Sequence, residues 1–212
     1  MDTREAPIVA EAIEDDCEFC SQSGRFEWFN TPLAIDKDYA IAVPSVGSFV
    51  PGYILVVPAV HVTASCRIPA DHKARLASFT NDLASQLASK YREKITIFEH
   101  GACDSRLQPQ SACVNHAHLH LVPGSYDLIS EAPEQVHKYS SLEEFLEEER
   151  EEPYLMLQDP GGPLLSFADQ PVPQFFRRVV ARRLGMADFW DYAAFPFYEN
   201  IKHTYRDFGI RM

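Results

Sequence analysis

The sequence predicts an α+β fold: an antiparallel sheet of about five strands carrying one long packed helix. Three observations lead there. Apolar, β-branched runs closed by prolines recur at about 38–44 and 52–58. Leu76, Phe79, Leu83, Leu87 and Tyr91 repeat at three- and four-residue steps, which predicts a helix over 70–92. Finally, Asn115-His116-Ala117-His118-Leu119-His120-Leu121-Val122-Pro123 alternates strictly, so in a strand its three imidazoles share one face. The composition shifts after Pro123, which divides the chain into a domain over 15–125 and an extension over 126–212 packed on it.

Residues 1–16 are acidic and read as a short helix or loose arm. Cys17-Glu18-Phe19-Cys20 then places two thiols close enough for one metal ion or a redox couple. Asp15 and Asp16 before it and Ser21-Gln22-Ser23-Gly24 after it suggest a knuckle between elements. Strands are expected at about 27–34, 38–44 and 52–58, and then the 70–92 helix, whose charged residues fall largely on its outer face. Ile95-Thr96-Ile97-Phe98-Glu99-His100-Gly101 reads as a strand ending in two polar residues and a glycine. Glu99 and His100 there are either site residues or a satisfied pair at a turn. A polar loop over 102–113 leads into the histidines and so borders them.

In the extension, the acidic run from Leu142 to Glu152 is amphipathic and reads as a helix with a solvated charged face. Tyr154–Leu157 and Leu164–Phe167 form a hairpin across Pro160-Gly161-Gly162-Pro163. A helix begins after Pro173 and ends at Gly185.

The net charge of −12 disfavours coating a nucleic acid, because no basic field meets a phosphate backbone. It leaves room for a small anionic substrate, since local charge can oppose net charge. No apolar run reaches membrane-spanning length, and the N-terminus does not read as a secretion signal. Five cysteines, Cys17, Cys20, Cys66, Cys103 and Cys113, suit a reducing cytoplasmic setting better than a disulfide framework.

The run His116-Ala117-His118-Leu119-His120-Leu121-Val122 resembles the signature of the histidine-triad family, His-apolar-His-apolar-His-apolar-apolar. Burying three imidazoles in a row is costly unless they are ligated or hydrogen-bonded, as at a metal or a nucleophile. The segment from Pro51 to His61, a strand running into Pro58 with a histidine three residues on, is also similar to that family. By motif order the resemblance covers roughly 15–125. The Gln174-x-x-Arg177-Arg178 helix is similar to an extension in bacterial members.

The resemblance implies a nucleotidyl hydrolase or transferase acting at the α-phosphorus of a nucleoside anhydride, phosphoramidate or ester. The central histidine, His118, would attack. Its other nitrogen must then donate, and the carbonyl of His116 is within reach. His120 would support phosphate charge or the leaving group. In zinc-containing relatives the first histidine joins the cysteines. That implies a structural zinc ion on Cys17, Cys20, His116 and either His61 or His100. Substrate contacts are expected from Ser111, Asn115, Glu99, Gln174 and Arg177. Cys113 stands where some relatives carry a serine donor, and the loop Val43–Pro51 lacks the acid that holds ribose in others, leaving Asp36 or Asp38. Arg177 and Arg178 could equally form a solvated helix face. Alternative activities are a nucleotidyltransferase, a dinucleoside polyphosphate phosphorylase, or a nucleotide-binding regulatory module without turnover. The resemblance further implies a homodimer through the long helix and neighbouring strand, unless the extension covers that surface.

Overall fold

A computed structural model of the protein describes residues 17, 19–20, 27–102, 116–170 and 172–211. Within these, eight strands form one sheet: β1 (Ala34–Asp36), β2 (Ala40–Pro44), β3 (Ile54–Pro58), β4 (Ile95–Gly101), β5 (Leu119–Pro123), β6 (His137–Tyr139), β7 (Tyr154–Gln158) and β8 (Leu164–Ala168). Their spatial order is β1-β2-β3-β5-β4-β7-β8-β6, and every pair is antiparallel. The helices are α1 (Ala70–Tyr91), α2 (Leu142–Glu147), α3 (Phe175–Arg183) and α4 (Tyr198–Asp207). The expected α+β architecture is present. Its sheet has eight strands because β6, β7 and β8 of the extension join the five before Pro123, through β7 on β4.

Two cores sandwich the sheet. On one face Ala42, Ile54, Val56, Leu119, Leu121 and Ile97 pack with Leu76, Leu83 and Leu87 of α1 and with Phe145 and Leu146 of α2. On the other, Leu55, Val57, Phe98, Leu155 and Leu157 pack with Phe176, Val179 and Val180 of α3. Residues opposite one another in a ladder share a face. The pairings therefore place Val43, Leu55, His120, Phe98, Leu157 and Leu165 in one row across the sheet. One imidazole thus interrupts an otherwise apolar row, on the face that α3 covers.

The strand expected over 27–34 is replaced by a 3-10 turn at Trp28–Asn30, and β1 starts later. Pro32 cannot donate to a ladder, so pairing begins beyond it, where Leu33 N donates to Ala42 O at 2.7 Å. The histidine strand is likewise shorter than expected: β5 begins at Leu119. Ahead of it, Ala117 N donates to Val62 O at 2.6 Å, and the side chain of His116 rather than a strand amide takes the carbonyl of Pro58.

The acidic helix α2 is also short. It opens with a capping box, Ser141 Oγ accepting from Glu144 N at 3.0 Å and Glu144 accepting from Ser140 N. It stops at Glu147, where like charges crowd and Arg150 turns back over the rings of Tyr139, Phe145 and Tyr154. The segment after Trp190, which carried no secondary-structure expectation, contains α4. Asn200 donates to the carbonyls of Ser48 and Phe49, and Thr204 accepts from Gly52 N at 2.8 Å, so α4 clamps the β2–β3 loop. No helix among the described residues is long and apolar enough to cross a membrane.

Candidate functional site

Cys17, Cys20, His61 and His116 converge, with one donor atom from each lying within 4.8 Å of all the others. Cys17 Sγ is 3.4 Å from His116 Nδ1, and Cys20 Sγ is 3.2 Å from His61 Nδ1 and 3.5 Å from His116 Nδ1. A tetrahedral ion bonded to sulfur at about 2.3 Å and nitrogen at about 2.1 Å needs S···N edges of roughly 3.6 Å. The cluster fits such an ion, zinc among them. His116 Nε2 donates to the carbonyl of Pro58 at 3.0 Å, which fixes the tautomer and turns the Nδ1 lone pair toward the thiols. Of the two histidines considered as the third ligand, His61 is therefore in the cluster. His100 lies on the α3 face, where its Nε2 faces Phe176 N at 3.5 Å and its ring stacks on Phe176.

Beyond the cluster the other two histidines line a pocket with Phe19, Val43, Ser45, Leu55, Arg177 and Tyr192. His118 Nδ1 donates to the His116 carbonyl at 2.8 Å, as expected for a histidine whose Nε2 keeps its lone pair. His120 lies stacked on Phe98, ring centroids 4.3 Å apart, and its Nδ1 is 2.8 Å from the Tyr53 hydroxyl. The Nε2 of His120 is buried with no hydrogen-bond partner among the described residues. Burial pushes the pKa of His118 down, and that of His120 well down with help from His118, His100 and Arg177. His116 is pushed down to about 4, mainly by burial. The histidines are thus neutral at pH 7, the form that an attacking or ligating imidazole requires.

Arg177, only 1% exposed, enters this pocket from α3. It donates to Gln174 Oε1 and the Trp190 carbonyl at 3.1 Å, to the Gly47 carbonyl at 2.9 Å, and to the Tyr53 hydroxyl at 3.3 Å. Those four partners include no carboxylate. Its guanidinium also lies 4.6 Å from the centroid of the Phe49 ring. Gly47, at φ +76°, permits this approach, because a Cβ there would stand 2.4 Å from Arg177 Nη2.

The expected site residues divide accordingly. His118, His120 and Arg177 meet at the pocket, Gln174 holds Arg177, and His116 bridges to the cluster. Glu99 does not meet them. It alternates onto the α1 face, where Ser65 N, Ser65 Oγ and Tyr154 Oη donate to its carboxylate. Burial raises its pKa against the pull of those bonds. A substrate role for Glu99 finds no support in this position. Ser111, Asn115, Cys103 and Cys113 lie outside the described residues. Asp36 pairs with Arg75 on the surface, away from the histidine pocket. Arg178 donates to the Pro173 carbonyl and lies over the Trp190 ring. Sequence reasoning missed Tyr53, Phe98 and Gly47. Tyr53 and Phe98 carried one signal, a strand alternation that put them on a common parity with neighbouring core residues. Which parity faces the histidines depends on pairing with β5.

Solved structures with a similar fold include a Hit-like protein from Bartonella henselae involved in cell-cycle regulation, at 17% identity and TM-score 0.44, over 53% of this chain and 83% of that one. A HIT family protein from Bacillus anthracis is 20% identical with TM-score 0.43, over 52% of this chain and 74% of its own. A HIT family hydrolase from Clostridium thermocellum is 20% identical with TM-score 0.39, over 52% and 91%. No curated protein matches the sequence significantly. The family model described as "Protein similar to CwfJ C-terminal" matches residues 6–136, a span that holds both cysteines, His61 and all three triad histidines. That match extends over more than half of the chain, and with the cluster and the histidine strand inside it, the chain belongs to the family of proteins similar to the CwfJ C-terminal region.

Proposed function

We propose that the protein is a nucleotidyl hydrolase that cleaves at the α-phosphorus of a nucleoside phosphate anhydride, phosphoramidate or ester through a covalent nucleotidyl-His118 intermediate. The observation that carries this reading is the bond from His118 Nδ1 to the His116 carbonyl, 2.8 Å, in a buried imidazole that lines a pocket shared with His120 and Arg177. That bond leaves Nε2 with its lone pair. Nε2 attacks phosphorus, a P–N bond forms, and the bond to the leaving group breaks with its electron pair going to the leaving atom. Water then attacks phosphorus, the P–N bond breaks, and the water proton passes to solvent. His120 and the Arg177 guanidinium supply donors and positive charge near the phosphoryl oxygens, where charge builds.

Zinc held by Cys17, Cys20, His61 and His116 is part of the proposal. It would be structural, with all four positions filled by protein, and it would anchor the knuckle beneath the nucleophile. Its contribution is to orient His116 and so the carbonyl that His118 uses.

The test is a panel of dinucleoside polyphosphates, nucleoside phosphoramidates and nucleotide esters, with and without phosphate, followed by mass spectrometry of acid-avoiding digests. Turnover with a nucleotidyl adduct on the peptide holding His118 is expected. Product that incorporates phosphate instead of water would make the protein a phosphorylase. Tight nucleotide binding with no turnover anywhere in the panel would reduce it to a binding module.

A further inference from the structure

The extension brings a cation to the third histidine by way of a phenol. Arg177 Nη1 donates to Tyr53 Oη at 3.3 Å, and Tyr53 Oη lies 2.8 Å from His120 Nδ1. A guanidinium has no lone pair to offer, so of these two partners only His120 Nδ1 can accept the hydroxyl proton. The hydroxyl then receives from Arg177 and donates to His120, and the proton of a neutral His120 must sit on Nε2. That nitrogen is buried with no partner among the described residues, in a side chain that lines the pocket. His118 has the opposite arrangement, proton on Nδ1 and lone pair on Nε2.

We propose that Arg177 is a positioning residue that acts through Tyr53 to hold His120 in its Nε2–H tautomer, so that His118 offers a lone pair and His120 offers a hydrogen to the same pocket. The proposal rests on the reading of His118 as nucleophile for its consequence in turnover, but the relay itself can be observed without turnover.

The surroundings are built to keep the relay in one arrangement. Phe98 stacks on one face of His120 and fixes the ring plane. Gln174 and the Trp190 and Gly47 carbonyls occupy other N–H groups of Arg177, so its head cannot swing away without leaving them unpaired. Tyr53 is fully buried at the start of β3. Without Arg177, the Tyr53 hydroxyl could equally accept from an Nδ1–H. His120 Nε2 would then present a lone pair to the phosphoryl oxygens, which repels where a donor should stabilise.

The experiment is 15N NMR of full-length, zinc-loaded protein labelled at histidine, with His120 assigned by loss of its signals in His120→Gln. The expected wild-type pattern has His120 Nδ1 unprotonated and accepting, and Nε2 protonated. Arg177→Met should move the Nδ1 resonance toward the protonated position with Tyr53 still in place, and Tyr53→Phe should remove the accepted hydrogen bond while leaving the ring that packs. In kinetics, both variants should lower kcat roughly 100-fold and leave KM within about threefold, since a donor is lost and substrate binding is not. A wild-type proton on Nδ1, or an Nδ1 resonance that neither variant moves, overturns the relay. A KM effect of Arg177→Met without a kcat effect also overturns it and makes Arg177 a plain substrate contact. If the resonances behave as expected and no nucleotide is turned over, the relay stands and the nucleotidyl reading falls.

Discussion

His100 and His120 face the same core from neighbouring strands, with ring centroids 6.1 Å apart. His100 is wholly buried between Phe98 and Phe176, and burial, with His118 and Arg177 nearby, pushes its pKa down to about 3. The unfolded chain binds that proton near pH 6.5 and the folded chain does not, so folding is favoured by neutrality above 6.5 and loses this contribution as pH falls toward 3. Between pH 7 and 5 the loss is about 2 kcal/mol for one such histidine. Urea denaturation at both pH values should show His100→Leu losing less stability on acidification than wild type, by about that amount. At the reacting centre, His118→Asn should cut turnover about a thousandfold or more while keeping zinc and fold, because it is assigned to attack and not to ligation. His120→Ala should cost less, and His116→Ala should lose both zinc and activity. Should His118→Asn retain near-wild-type rates with His120→Ala inactive, the nucleophile is misassigned.

Among the elements, the knuckle at Cys17–Cys20 has few other ties described, whereas the end of β3 and the start of β5 are fixed by the sheet. A metal ion there would join three chain segments, and its binding free energy would be folding free energy. Cys20→Ser and His61→Ala should each lose zinc by elemental analysis and lower the melting temperature, while His100→Ala keeps zinc. The long helix is scaffold. Leu87 of α1 is fully buried against the sheet, so Leu87→Ala should cost roughly 2–5 kcal/mol in denaturant unfolding without loss of zinc. At the start of α2, Ser141→Ala removes the cap on Glu144 N and should cost about 1 kcal/mol.

For the molecule as a whole, the extension is part of the sheet and of the site. β7 pairs with the full length of β4, and α3 lays Phe176, Val179 and Val180 over the row that contains His120. A chain cut after residue 125 would expose β4 as an unpaired edge beside an apolar face. Such a chain should be insoluble or should associate, read by size-exclusion chromatography and NMR dispersion. A well-dispersed monomeric spectrum would show that residues 126–212 are dispensable for folding. Pairing of two copies through α1 remains the proposal from the sequence, and light scattering of the full chain decides it.

The sequence by itself determined the local elements and the ligand chemistry. α1, β4, the β7–β8 hairpin and α3 stand within about two residues of their expected places, because periodicity, prolines and glycines act over short spans. The histidine run and the cysteine pair were legible for the same reason: their chemistry lies in spacing along one strand or turn. Only tertiary structure decided which side each residue faces. Glu99 and His100 are adjacent in β4, yet one enters the α1 core and the other the α3 core. Whether His61 or His100 joined the cysteines was settled by where β3 ends relative to His116. The link from Arg177 through Tyr53 to His120 spans separations of 124 and 67 residues. No local pattern encodes a contact between residues so far apart, since it follows from sheet register and from the face on which a later helix packs.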